Sequence, residues 1–538
     1  MKAVALPMLA GLAAAGFAPA MAQDLTVGLK SEATSIDPQY HSLSTNNQVL
    51  QTIFEPLTSQ NAVQELEPLL ATSWEAIDDT TWRFELREDV TFHDGTPFTA
   101  NDVIYTFCRI PLVQNSPSSF TLYMSSITSM TAEDDHTIIM ETAEPNPLLP
   151  TDIVVLPILS AETLGAEDDI TFAPNGECEG LGDVPQSPAF NDPEIAVGTG
   201  PYTFESWNRG NSLTLARFDD YWDGTPDWET VTLRPITSDG PRVAALLAGD
   251  VDMIENPPIQ DVPRIEEAGF KIVDSLSNRI IYLHMYQDPD GEAPSISGTD
   301  GENPLLDPLV REAISLSINR AGITERIMGG YAEPAGELLP PPMFGTSGRE
   351  VDAYDPERAR ELLAEAGYED GFTITLGTPN DRYINDEQVA QAIAQMLAQI
   401  GITVNVDAMT ASQFFSRRNN QEFPLWLAGW GASSGEMSSP LRSLVASWNP
   451  EAGLGTTNPG RYSNEEVDTL VQQAMAELDD TERERMLQEA ATIALEDHGI
   501  IPLHYEVTVW AMSDDLTYEP RRDQYTLVSE IKPANGQD

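Results

Sequence analysis

Alternating apolar and polar residues mark Leu25–Leu29, Trp82–Leu86, Tyr202–Trp207 and Ser212–Arg217 as strands. The Asp37-Pro38 pair stops the first strand and turns the chain. A helical period takes over in Val49, Leu50, Ile53 and Phe54, and Pro56 ends it. Thr99 reads as an N-cap, with Asp102 in the first turn and Val103, Ile104 and Phe107 on one face. Between 166 and 193 the pattern is lost in a loop rich in Gly, Pro and acids. A helix through Val243, Leu246 and Leu247 stops at Gly249, and Val251–Ile254 returns as a strand, a β-α-β rhythm.

Two strands stand out by being largely apolar and aromatic, Ile280–Tyr286 and the run from Ile500 to Trp510. The Asp/Gly/Pro/Ser-rich segment 287–304 after the first of them predicts a boundary. Beyond it the chain is strongly α/β. A helix has Asp355 as N-cap, Pro356 at its first position and Gly367 as its stop. A strand follows at Phe372–Leu376. The helix Asp386–Ile400 places Val389, Ile393, Met396, Leu397 and Ile400 on one face, and Ile402, Val404 and Val406 alternate as the next strand. Two acidic amphipathic helices, about 464–478 and 481–496, precede the final apolar strand.

Length and composition narrow the picture. A chain of 538 residues exceeds one hydrophobic core and predicts at least two lobes. Its formal charge of −58 excludes nucleic acid and anionic membranes as partners and suits salty water. Residues 1–22 read as a secretory leader: Lys2, an Ala/Leu-rich run, then Ala20-Met21-Ala22 as a cleavage site. Export permits a disulfide between Cys108 and Cys178, with two buried thiols as the alternative. The six histidines show no metal-ligand spacing, and no cofactor is implied.

No nucleophile elbow, P-loop or His-Glu-x-x-His occurs, which argues against a secreted hydrolase. A chaperone-like or adhesive role rests on the acidic surface alone. Arg382 lies in a loop between a strand and a helix N-terminus, where α/β lobes bind ligands, and its fork matches a carboxylate. The stretch from Trp426 to Glu436 sets two tryptophans among three glycines and ends in a carboxylate. Taken alone it reads as a buried Trp beside a turn.

Five blocks in order change that reading. They are Ser35-Ile-Asp-Pro38 with Phe54-Glu-Pro-Leu57, the long block Leu86–Val103, Gly198-Thr-Gly-Pro-Tyr202, Arg242–Asp252, and Tyr354-Asp-Pro-Glu with Leu362–Tyr368. Together they resemble the extracytoplasmic solute-binding proteins of ABC importers, in the peptide/nickel-binding family. The resemblance implies an α/β fold of two lobes with a hinge, and a small extra domain inserted in the first lobe. The implied division is first lobe 23–65, extra domain 66–196, first lobe again 197–283, second lobe 284–503, and a return of 504–538 to the first lobe. It implies a periplasmic monomer that passes a solute to permease subunits and their ATPase, with no bond made or broken.

In peptide-binding members a Gly-Trp strand pairs with the peptide backbone, and an acid just after it holds the α-ammonium. Gly429-Trp430 matches the pair, followed by Gly431. The usually acidic position is Ser433, and Glu436 is the nearest replacement. The resemblance also places Thr34 and Tyr40 beside the pocket. The expected ligand is a short peptide or related zwitterion, with Arg382 on its carboxylate, Glu436 on its ammonium and Trp430 on an apolar part. Glutathione, oligosaccharides and metal chelates are the alternatives within the family.

Overall fold

The computed structural model describes residues 24–167 and 169–534, so the leader and its cleavage site near Ala22 lie outside the described residues. A 12-stranded sheet runs through both lobes. Its first-lobe part contains Asp24–Leu29 between Thr230–Pro235 and Met253–Glu255, with Ser212–Arg217 and Tyr202–Asn208 beyond. Its second-lobe part contains Phe372–Pro379, which runs parallel to both Ile402–Met409 and Leu425–Gly431.

Two long antiparallel strands, Lys271–Met285 and Ile500–Met512, join the halves. Lys271–Leu276 pair with Met512–Val507 in the first lobe, and Ile280–His284 pair with Tyr505–Ile500 in the second. Between these ladders the register breaks at Ser277–Arg279, opposite Glu506. Such an irregularity bends a strand and frees it from the ladder, so it is where two rigid halves can pivot. The expected boundaries at 283/284 and 503/504 fall on these same two strands. The apolar runs continue past the crossing because strands buried on both faces need no polar side.

Alternation still sorts residues between the two faces of the second-lobe sheet. Ile280 and Tyr282 enter one core with Trp426 and Leu441, whereas Ile281, Leu283 and Met285 enter another with Val389 and Ile393. The helices form where their end signals stood. Asp355 accepts from the N–H groups of Glu357 and Arg358, and Asn464 from those of Glu466 and Val467.

The segment expected as an extra domain contains a separate four-stranded antiparallel sheet, Ala71–Asp78, Thr81–Leu86, Thr137–Thr142 and Ile127–Asp134. Its apolar residues Phe84, Ile138 and Met140 share one continuous core with Leu25, Val27 and Leu233 of the first lobe. Asp37 and Arg109, both fully buried, bind it to the first-lobe segment at 2.7 Å. Cys108 and Cys178 form a disulfide that ties the 166–193 loop to the helix Ala100–Arg109. The C-terminal segment returns to the first lobe, where the Trp228 indole N–H donates to Ile531 O at 2.7 Å.

Candidate functional site

The residues that face each other around the crossing come from three places. The first lobe brings Lys30, at the end of its leading strand, and Glu255, whose carboxylate accepts the Lys30 backbone N–H at 2.8 Å. The crossing strands bring Arg279 and Glu506, 3.6 Å apart. The second lobe brings the loop 380–385, with Arg382 exposed on it.

Glu506 organises this group. One of its oxygens accepts the Ile384 backbone N–H at 2.9 Å, which holds the Arg382 loop against the crossing. The other faces Arg279. Burial pushes its carboxyl above the ordinary range, and Arg279, the Ile384 N–H, Lys30 and Arg382 pull it back down. Arg279 is held by Gln524, whose side-chain oxygen accepts at 3.1 and 2.9 Å. Burial lowers its own pKa, against the pull of Glu506.

The loop is shaped by Asp386 at the head of its helix, whose carboxylate accepts the backbone N–H groups of Arg382 and Tyr383, each at 3.1 Å. The Arg382 guanidinium packs 5.7 Å from the Tyr383 ring and has no ion-pair partner among the described residues. Three cations thus converge here in a chain with only 28 Lys and Arg against 86 acids. The carboxylates of Glu255 and Glu506 face them, and that of Asp386 lies against the backbone of the same loop.

Next to this group lies a cavity of about 420 Å³. Its walls include Arg279, Asn278, Gly431 and Ser433, with Glu55, Glu67 and Asp523 on the first-lobe side. Of the residues expected at the site, Gly431 and Ser433 reach this wall. Thr34 and Tyr40 do not. Thr34 is exposed, its hydroxyl 2.9 Å from His41 Nδ1, and Tyr40 is half-buried.

The glycines serve the protein's own packing. A Cβ on Gly429 would meet the Tyr383 ring at 2.8 Å, and one on Gly431 would meet the Arg279 guanidinium at 3.3 Å. Trp430 is half-buried and its indole N–H donates to Ser439 at 3.1 Å. Trp426 is core, stacked on His284 with centroids 5.0 Å apart.

Glu436 is turned away from the expected role. It is buried and bonded to Arg483 at 2.6 Å with one oxygen, and to the Ser438 hydroxyl with the other. A carboxylate with both oxygens engaged in this way is not free for a ligand ammonium. Arg483 lies 47 positions away on a helix, so the sequence held no local sign of the pair.

Arg279 and Glu506 escaped the sequence reading, although a signal existed. Each is a charge interrupting an apolar crossing strand, and a charge there must be paired or functional.

The family model for bacterial extracellular solute-binding proteins, family 5, matches residues 65–451. The chain belongs to this family. It is 30% identical over 526 residues to the glutathione-binding protein GsiB of Escherichia coli (strain K12), covering 94% of this chain and 95% of that protein. The same fold appears in the ABC transporter-associated periplasmic binding protein DppA from Helicobacter pylori, in complex with the peptide STSA. That match has a TM-score of 0.71 at 24% identity and covers 95% of this chain and 98% of that one. HbpA2 from Haemophilus parasuis superposes with a TM-score of 0.79 at 21% identity, covering 95% and 100%. The role is that of the solute-binding component of an ABC importer, and the two lobes with their double crossing are its capture device.

Proposed function

We propose that this chain captures a short peptide or a peptide-like zwitterion, glutathione among them, between its lobes and hands it to a permease as a periplasmic monomer. The observation behind this reading is the exposed Arg382 guanidinium, which has no ion-pair partner among the described residues. Arg382 on one lobe, Lys30 on the other and Arg279 between them, 3.6 Å from Glu506, are assigned as partners of a ligand carboxylate. An anion there favours the state in which all three approach it, so binding favours closure. The ligand ammonium is assigned to the cavity beside Ser433, whose far wall carries Glu67 with one oxygen engaged by Asn61, whereas Glu55 and Asp523 on that wall are committed to Tyr221 and Trp222 and to Arg521. That assignment replaces Glu436. It also fits the absence of an acid at 433, since the negative charge sits on the opposite lobe.

Native mass spectrometry of the purified protein, followed by calorimetric titration with reduced glutathione and with tripeptides, tests this reading. A co-purified or titrated ligand bearing a carboxylate is the expected result. A neutral sugar as the bound solute would overturn it.

A further inference from the structure

Beside the crossing, three side-chain amides join the lobes. Gln60 and Gln64 belong to the first-lobe hairpin built on Thr58–Gln60 and Leu66–Pro68. Gln60 Nε2 donates to Ser434 O at 3.1 Å. Gln64 Nε2 donates to the carbonyls of Ala432 and Ser433, both at 3.3 Å. Asn278, in the register break itself, donates to Gln64 Oε1 and to Ala432 O, each at 2.9 Å. Its backbone N–H donates to Arg522 O at 3.0 Å, and the Arg522 N–H donates to Ala62 O at 2.8 Å. The node therefore touches the first lobe, the hinge, the C-terminal segment and the second lobe at one point. Gln64 and Asn278 are both buried, and Gln64 is held at φ 64°, a backbone conformation that only a fixed surrounding structure maintains.

We propose that this node sets the angle between the lobes. The acceptors are backbone carbonyls of the turn that follows the strand Leu425–Gly431, so rotating one lobe against the other must break or lengthen these bonds. The donors are uncharged. In a chain of charge −58 the lobes repel each other at low ionic strength, and a neutral amide node opposes that repulsion without being screened by salt. The same turn presents Ser433 to the cavity, so the lobe contact and the ligand wall move as one piece.

The test needs no ligand and so stands apart from the solute reading. Spin labels at two exposed positions, Asp220→Cys in the first lobe and Gln395→Cys in the second, report the interlobe distance by pulsed electron resonance in the full chain. The otherwise native protein is expected to give one narrow distribution, the same in low and high salt. Gln64→Ala is expected to broaden it at low salt, with recovery at about 1 M salt, where the Debye length falls to about 3 Å. Gln60→Ala, on a half-buried side chain, gives a second reading if the buried variant folds poorly, and is expected to broaden it less. Thermal melts confirm that the labelled variants are folded. Distributions of the folded variants that superpose on the native one at both salt concentrations would overturn the proposal.

Discussion

Arg483 Nη1 lies 2.6 Å from a carboxylate oxygen of Glu436, and both side chains are nearly closed to solvent. The pair joins the turn after the second-lobe strand to the long helix Asp480–Glu496. Glu436→Ala leaves the buried Arg483 with only the exposed Asp480 at 3.0 Å, so the cost falls below the ~3–5 kcal/mol of a fully unpaired buried charge. Urea unfolding of the variant is expected to show that loss, with affinity for a bound solute little changed. A native unfolding curve together with a ten-fold loss of affinity would return Glu436 to the ligand site.

Arg382 is the opposite case, because it is exposed and without an ion-pair partner. Arg382→Ala is expected to leave the melting temperature of the ligand-free protein where it is. Its effect falls on binding: a lost charge-assisted hydrogen bond of about 1.5–3 kcal/mol is roughly 10- to 150-fold in affinity. Titration of native and variant protein with reduced glutathione reads this directly, and equal affinities would remove Arg382 from the site.

The Cys108–Cys178 bond closes a loop of 70 residues. In the chain-entropy account, a cross-link over that separation stabilises the fold by about 4 kcal/mol. The double variant Cys108→Ser, Cys178→Ser is therefore expected to unfold at markedly lower urea. The larger change in protease sensitivity should fall between 166 and 193, where the bond anchors a loop with little other regular structure. Cleavage elsewhere in the variant would place the bond's effect on the whole lobe.

Buried titrating groups of both signs set the pH dependence. Burial pushes the Glu55 carboxyl up to about 7, even though it accepts from the Tyr221 hydroxyl and the Trp222 indole, and pushes Asp152 up to about 7 as well. Carboxyls raised in the fold bind protons that the unfolded chain does not, so they add stability as pH falls from about 8 toward about 5. Burial drives the His93, His284 and His504 imidazoles down to about 4. Unfolded histidines take protons below about 6.5, so these three remove stability as pH falls from there toward about 4. The melting temperature, measured in enough salt to screen the surface, is expected to rise from pH 8 to near 6.5 and then level off, because Asp102, raised by burial to about 6, joins Glu55 and Asp152 in offsetting the three histidines. Glu55→Gln, which cannot ionise, should flatten the upper limb. An unchanged upper limb in that variant would show that the group does not titrate with folding.

Much of the architecture was legible in the chain. Asp355 and Asn464 cap their helices because a short polar side chain before an apolar-periodic run satisfies the free N–H groups at that end. The strands bracketing the second lobe were legible because burial on both faces writes a largely apolar run. The charged pair at their crossing was less plain: Arg279 and Glu506 lie 227 positions apart, and the break that brings them together is a matter of register.

The site divides in the same way. Arg382 could be placed from its loop alone, since a strand, a turn and a helix head are local features. Ser433 could be seen as a missing charge by comparison with the family pattern. Two further facts depended on the tertiary structure. Glu436 is consumed by Arg483, and Gly429 and Gly431 lie against Tyr383 and Arg279. The sequence by itself determined the elements, the two lobes and the class of protein, because periodicity, caps and motif order act over short stretches. Only the tertiary structure decided which charges remain free, because a carboxylate's availability depends on what folds against it from far along the chain.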